Sequence, residues 1–302
     1  MERVGSSNKV IHLKSRIPEK RDNTLARKKR TDRSNTRVIA ITSGKGGVGK
    51  TNIVANLGFA LSQLGKKVLI LDADLGLGNI DVLLGLAPKY NLSHVIYEGR
   101  SIPEIILEGP GNMKILPASS GIQELTQLTK EQKIQILSKL DLLTDPFDVL
   151  LIDTAAGISS NVMYFNTTAQ EIMVVVSPEP TSITDAYALM KVLSTKYSEK
   201  HFKLLVNLAA NTQEADDVFR QLRLVADRFL DISLEYIGYV LSDQNVTKCV
   251  RLQRIVSEIY PDTIASKCFA SLAQNICKSP PANFPEGETN FFWKYLLPGK
   301  FD

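Results

Sequence analysis

Gly44-Lys45-Gly46-Gly47-Val48-Gly49-Lys50-Thr51 follows the β-branched run Val38-Ile39-Ala40-Ile41 and precedes a stretch, residues 51–64, with apolar Ile53, Val54, Leu57, Ala60, Leu61 and Leu64 at helical spacing. The octet has the G-x-x-x-x-G-K-[ST] spacing of a phosphate-binding loop, in the strand-then-helix context such a loop requires. Its glycines let the backbone turn N–H groups toward a phosphate, and the start of the helix adds positive potential. Gly46, Gly47, Val48 and Gly49 would line that cradle, with Lys50 neutralising the β/γ-phosphates. Thr51 would offer its hydroxyl to Mg²⁺, and Asn52 follows in the same run.

Outward from the loop, short unbroken apolar runs alternate with amphipathic stretches. Strands are expected at residues 68–71, 113–116, 149–153, 172–176, 204–208 and 236–241, and helices at 130–143, 181–196, 214–229 and 262–276. Strands that are apolar on both faces suit a mostly parallel sheet covered on both sides by helices, so an α/β fold with right-handed crossovers is expected. Ligands of such folds bind outside the carboxyl ends of the strands. Residues 37–280 read as one domain, preceded by a basic tail (1–36) and followed by an aromatic segment (281–302).

The 302 residues are 44% hydrophobic and 23% charged, which excludes collagen-like, disulfide-scaffold and wholly disordered classes. The longest apolar runs fall far short of the roughly 18 residues a spanning helix needs. Cys249, Cys268 and Cys277 are an odd, sparse set without metal-ligand spacing, so a cytosolic protein with reduced thiols is expected. Residues 1–37 hold 12 Lys+Arg against 4 Asp+Glu; with 36 and 32 in all, the rest of the chain has 24 and 28, net −4. An acidic body argues against direct DNA binding by it, while the tail could meet nucleic acid, an acidic partner or an anionic membrane surface, or stay a solvated arm.

Two carboxylate-bearing strand ends accompany the loop. Leu69-Ile70-Leu71-Asp72-Ala73-Asp74 places two acids at alternate positions, which share a side if the strand continues. Leu150-Leu151-Ile152-Asp153-Thr154-Ala155-Ala156-Gly157 places one acid before a small-residue turn.

The second lysine, Lys45, makes the loop a deviant Walker A pattern, and the chain resembles the MinD/ParA group of P-loop ATPases. The resemblance implies a SIMIBI/MinD-like fold and an ATP-bound homodimer in which Lys45 reaches the partner's phosphates as an arginine finger does. It further implies that Asp74 orients the attacking water, with Asp72 close by, that Asp153 holds Mg²⁺, and that the Gly157 amide senses the γ-phosphate. Asn207 and Asp243 take positions that contact adenine in the group, although either could cap a turn. The strand ending at Asn207 lacks the Lys-x-Asp of guanine-specific relatives, so ATP is the expected nucleotide. A nitrogenase iron protein would need paired cysteines near the switches, where this chain has none.

Within the group, residues 72–86, 153–158, 179–189 (Glu-Pro-Thr-Ser-Ile-Thr-Asp-Ala-Tyr-Ala-Leu), and Pro281-Ala-Asn-Phe-Pro285 with Phe291-Phe292, look like the FlhG/FleN flagellar-number regulators. That family implies a weak, dimerisation-coupled ATPase acting on an FlhF-like SRP-type GTPase, on a FleQ-like enhancer-binding activator, or on a flagellar switch-complex protein. The alternatives are a MinD-type division-site regulator and a ParA-type partition ATPase. The tail sequence Asp22-Asn23-Thr24-Leu25-Ala26-Arg27 departs from the family's FlhF-activating motif. The segment from Phe291 to Leu297 could sit peripherally on the inner face of the cytoplasmic membrane, at a cell pole, or pack on the body.

Overall fold

The computed structural model describes residues 36–118, 121, 123–141, 143 and 147–280. The tail up to residue 35 and the segment 281–302 lie outside the described residues, and with them the readings made of both.

Eight strands form one sheet in the order β3-β4-β2-β5-β1-β6-β7-β8. They are β1 Arg37–Ser43, β2 Val68–Ala73, β3 Leu107–Glu108, β4 Lys114–Leu116, β5 Val149–Ala156, β6 Glu171–Val176, β7 His201–Ala209 and β8 Ser233–Leu241. Every pair is parallel except β3 with β4. The expected α/β fold is therefore present, as a single domain.

Strand alternation divides the core into two layers. On β1, Ile39 and Ile41 point to the face covered by α1 (Lys50–Gln63) and by α9 (Gln244–Arg251), α10 (Val256–Ile259) and α11 (Ile264–Lys278). Val38 and Ala40 point to the opposite face. That face is covered by α3 (Leu92–Tyr97), α4 (Ile102–Ile105), α5 (Lys130–Asp141), α6 (Ser160–Thr168), α7 (Pro180–Tyr197) and α8 (Thr212–Phe229). Each fully buried Ile, Leu or Val contributes about 1.5–3 kcal/mol, which is why β1, buried at all seven positions, sits at the centre.

Several short elements carry no sequence signal, and two of the elements the sequence missed have a clear physical reason. Helix α6 carries no amphipathic signal because residues 161–168 are all buried, so no polar face marks the period. Its Asn and Thr residues favour it little, and it is held from outside: Ser159 caps Val162 N–H, and the Asn166 amide donates to Thr42 Oγ1 (3.1 Å) and to the Val162 carbonyl (2.8 Å). Strand β3 is too short to read, and exists because a turn at Pro110–Asn112 folds it back on β4. A short helix, α2 (Ile80–Leu83), follows β2.

The N-terminal end of the sheet is locked by charge. Arg37 is buried and spends its guanidinium on both oxygens of Glu171 (2.5 and 2.8 Å), on the Ile276 and Ser279 carbonyls, and on Ser279 Oγ. Lys203 joins Glu171 (3.5 Å) to Glu235 (2.6 Å) across β6, β7 and β8. Among the described residues no disulfide ties the chain, and all three cysteines are free thiols. No described helix is long and apolar enough to cross a membrane.

Candidate functional site

The glycine-rich loop leaves β1 at the centre of the sheet and feeds α1. Gly44 is glycine because α7 passes against it, and a Cβ there would collide with the Asp185 backbone. Gly49 adopts φ 88° as the N-cap of α1, and a Cβ would stand 2.5 Å from Asn207 Nδ2. Helix α1 has neither a side-chain cap nor an acid in its first turn, so its leading N–H groups have no internal acceptor. That arrangement receives an anion.

Lys50 is 9% exposed and donates to Ser43 Oγ at 2.9 Å. Burial lowers its pKa, while the charges of Asp153 and Asp74 raise it in part. Asp153 faces Asp72 across the β2–β5 register, and both are buried. Burial first of all pushes Asp153 up to about 6; the Thr51 hydroxyl and Lys50 lower it, and Asp74 raises it. Asp72 is raised well above the carboxylate range by burial and by Asp153, against backbone hydrogen bonds from Ile80 and Asp74. Two acids thus act on one lysine while the third, Asp72, adds its charge beside Asp153, and Asp153 Oδ1 is buried without a hydrogen-bond partner. A divalent cation beside Thr51 and Asp153 fits this donor set, because it supplies positive charge to like-charged carboxylates and a partner to that oxygen.

Strand β2 ends at Ala73, so the alternation inferred for Asp72 and Asp74 does not extend to the second acid. Asp72 instead folds its carboxylate onto the loop, accepting from Asp74 N (3.1 Å) and Ile80 N (3.3 Å), and so fixes the turn that carries Asp74. The Gly157 amide, expected at the γ-phosphate, here donates to the Ser43 carbonyl at 2.9 Å. Asn207, expected at adenine, donates its amide to the Val48 carbonyl at 2.8 Å and braces the loop from β7. Asp243 caps α9, accepting from Asn245 N (2.8 Å), and its other oxygen accepts from Ala265 N (3.3 Å) at the start of α11.

Lys45 leans across the loop onto α7, where Glu179 pairs with it and Thr181 Oγ1 accepts at 2.9 Å. Glu179 and Thr181 stood in the stretch quoted above, but only the fold sets them beside the loop. Ser43 and Leu208 gave no sequence signal. Leu208 follows the brace Asn207 with φ 63°, 46% exposed, at an irregularity of the β7–β8 register.

A central parallel sheet with a phosphate loop after its middle strand and acids on or just after the next two strands defines a P-loop nucleoside triphosphatase. Residues 36–206 match the family described as an AAA domain. The antiactivator FleN of Pseudomonas aeruginosa is 47% identical over 262 residues, spanning 86% of this chain and 93% of that protein. The flagellum site-determining protein YlxH of Helicobacter pylori is 31% identical over 88% of this chain and 91% of its own length. Among solved structures, the septum site-determining protein MinD of Pyrococcus horikoshii, complexed with Mg-ADP, superposes with a TM-score of 0.62 at 24% identity, covering 80% of this chain and 96% of that one. The chain belongs to the MinD/ParA-type P-loop ATPases, in the FleN/FlhG family whose cofactors are ATP and Mg²⁺.

Proposed function

We propose that this chain is an ATP-controlled dimerising switch that limits flagellar number or placement, acting on an FleQ-like activator and on an FlhF-like GTPase. The observation that supports it most is the 47% identity across nearly the whole of an antiactivator, with every element of the phosphate loop intact. A flagellar switch-complex protein is a further partner in this reading, and the setting is the cytoplasm, with peripheral contact at the inner membrane near a pole.

In the proposed chemistry the loop amides of residues 46–49 and Lys50 hold the β/γ-phosphates, and Thr51 and Asp153 hold the metal. Bound Mg²⁺ supplies charge neutralisation to the phosphates. Asp74 orients the attacking water. Hydrolysis is slow until a second copy closes over the site, when Lys45 leaves Glu179 and Thr181 for the partner's phosphates. Loops framing the site suit such a dimer: Leu77 and Ile158 are 72% and 55% exposed on either side of it, apolar surface that a second copy would cover.

Two experiments test the reading. Flagella are counted by negative-stain electron microscopy in the native host lacking the gene, complemented with wild type or Lys50→Ala. Extra flagella rescued only by wild type support the assignment; an unchanged count, with plasmid loss or minicells instead, would discard it. At the enzyme level, Lys45→Ala is expected to bind Mg-ATP normally and to lose hydrolysis by about 10³-fold, the scale of a missing trans cation.

A further inference from the structure

Helix α9 ends in a complete Schellman motif. Arg254 N donates to the Cys249 carbonyl (3.0 Å) and Gln253 N to the Val250 carbonyl (3.1 Å), with Gln253 left-handed at φ 55°. Glycine is the residue this position favours, since any side chain there strains the backbone. Gln253 uses its side chain for one purpose: its amide donates to the Val82 carbonyl at 2.8 Å, in α2, the helix that follows Asp72 and Asp74. On the other side of the contact Gly85 is left-handed at φ 64°, and a Cβ there would stand 3.3 Å from Gln253 Cβ, so the two turns pack closely. Of the two left-handed positions, the one at 85 has the expected glycine and the one at 253 has a side chain that bridges the turns.

The link joins two segments 171 positions apart in sequence. At one end Asp72 holds the loop that carries Asp74, whose charge is felt by Lys50 and Asp153. At the other, α9 is tied through Asp243 to the start of α11. We propose that Gln253 is a positioning residue that transmits the placement of residues 72–86, set by the nucleotide, to α9. Beside it Leu252 is 61% exposed and flanked by Arg251, so a shift of α9 would change the surface a partner meets. The inference rests on the proposed reading of residues 72–86 as responsive to ATP.

Hydrogen exchange of the full-length protein, with and without a slowly hydrolysed ATP analogue and Mg²⁺, tests it. In wild type, exchange is expected to change in both residues 74–86 and residues 244–253. Gln253→Gly relaxes the backbone but has no amide; Gln253→Glu keeps the shape but offers an acceptor to a carbonyl. In both, the nucleotide effect should persist in 74–86 and be lost in 244–253, with kcat lowered and KM for ATP unchanged. Gln253→Lys, which restores a donor, should recover the coupled response. A response of 244–253 in the Gly and Glu variants equal to wild type would overturn the proposal and leave Gln253 a helix cap only. A wild type with no response in 74–86 would instead remove the switch reading itself.

Discussion

The two ends of the central strands both bury charge, and they do so in opposite ways. At the N-terminal end, Arg37 meets Glu171 in a two-pronged pair and finds carbonyl acceptors for its remaining N–H groups, while Lys203 adds a second cation. At the C-terminal end, Asp74 and Asp153 act on Lys50 while Asp72 faces Asp153, a buried carboxylate oxygen has no partner, and burial moves Lys50 down and Asp153 up. The first end is complete within the chain and serves stability. The second is incomplete without a ligand, and its unfavourable electrostatics are what a magnesium nucleotide relieves.

Breaking the completed end should give the largest loss of stability. Arg37→Ala leaves Glu171 buried with only the more distant Lys203, and about 3–5 kcal/mol of unfolding free energy should disappear in chemical denaturation. Nucleotide affinity of the folded fraction should stay as in wild type, because Arg37 stands at the far end of β1 from the loop.

The incomplete end should show its character in a pH series. A carboxyl whose pKa is raised on folding keeps its proton longer in the native state than in the unfolded one. Its contribution is fully favourable below pH 4 and is lost as pH rises to about 6. The stability of Asp153→Asn minus that of wild type, measured without nucleotide, should therefore be flat in acid, grow between pH 4 and 6, and level off at about 2–3 kcal/mol in favour of the variant. Binding of Mg²⁺ needs the ionised form, so metal-dependent nucleotide affinity should strengthen over the same interval. A difference that shrinks with rising pH would reverse the assignment of strain to this end.

The smallest effect sharpens the contrast from the surface. Lys200 pairs with Asp231 at 2.8 Å near the start of β7, but Asp231 is almost fully exposed. Lys200→Ala should leave the denaturation midpoint close to that of wild type, with any small shift disappearing in high salt. Proximity to the N-terminal end is thus not enough; burial makes Arg37 matter.

How far the sequence revealed these two ends follows from their physics. The candidate nucleotide end was legible because its residues lie in contiguous strings: the loop from Gly44 to Thr51, Asp72 and Asp74 at and just past the end of β2, and Asp153 within β5. The strands and long helices were legible from apolar runs and period, to within a few residues at their ends. The opposite end was silent, since Arg37 and Glu171 are 134 positions apart and each reads as one charge at the start of a strand. The same separation hid the loop's supports. Asn207 reached Val48 and Glu179 reached Lys45 only once β6, β7 and α7 were laid beside β1. Helix α6 was lost for another reason: amphipathic period marks a boundary with water, and a helix buried all round has none.

The most direct test of the account is a pair of thermal melts at pH 7.5, comparing wild type and Asp153→Asn with and without Mg-ATP. If the site holds charge that only its ligand satisfies, the variant melts above wild type without nucleotide, and Mg-ATP raises wild type past it. A wild type that already melts higher in the absence of nucleotide would contradict the claim.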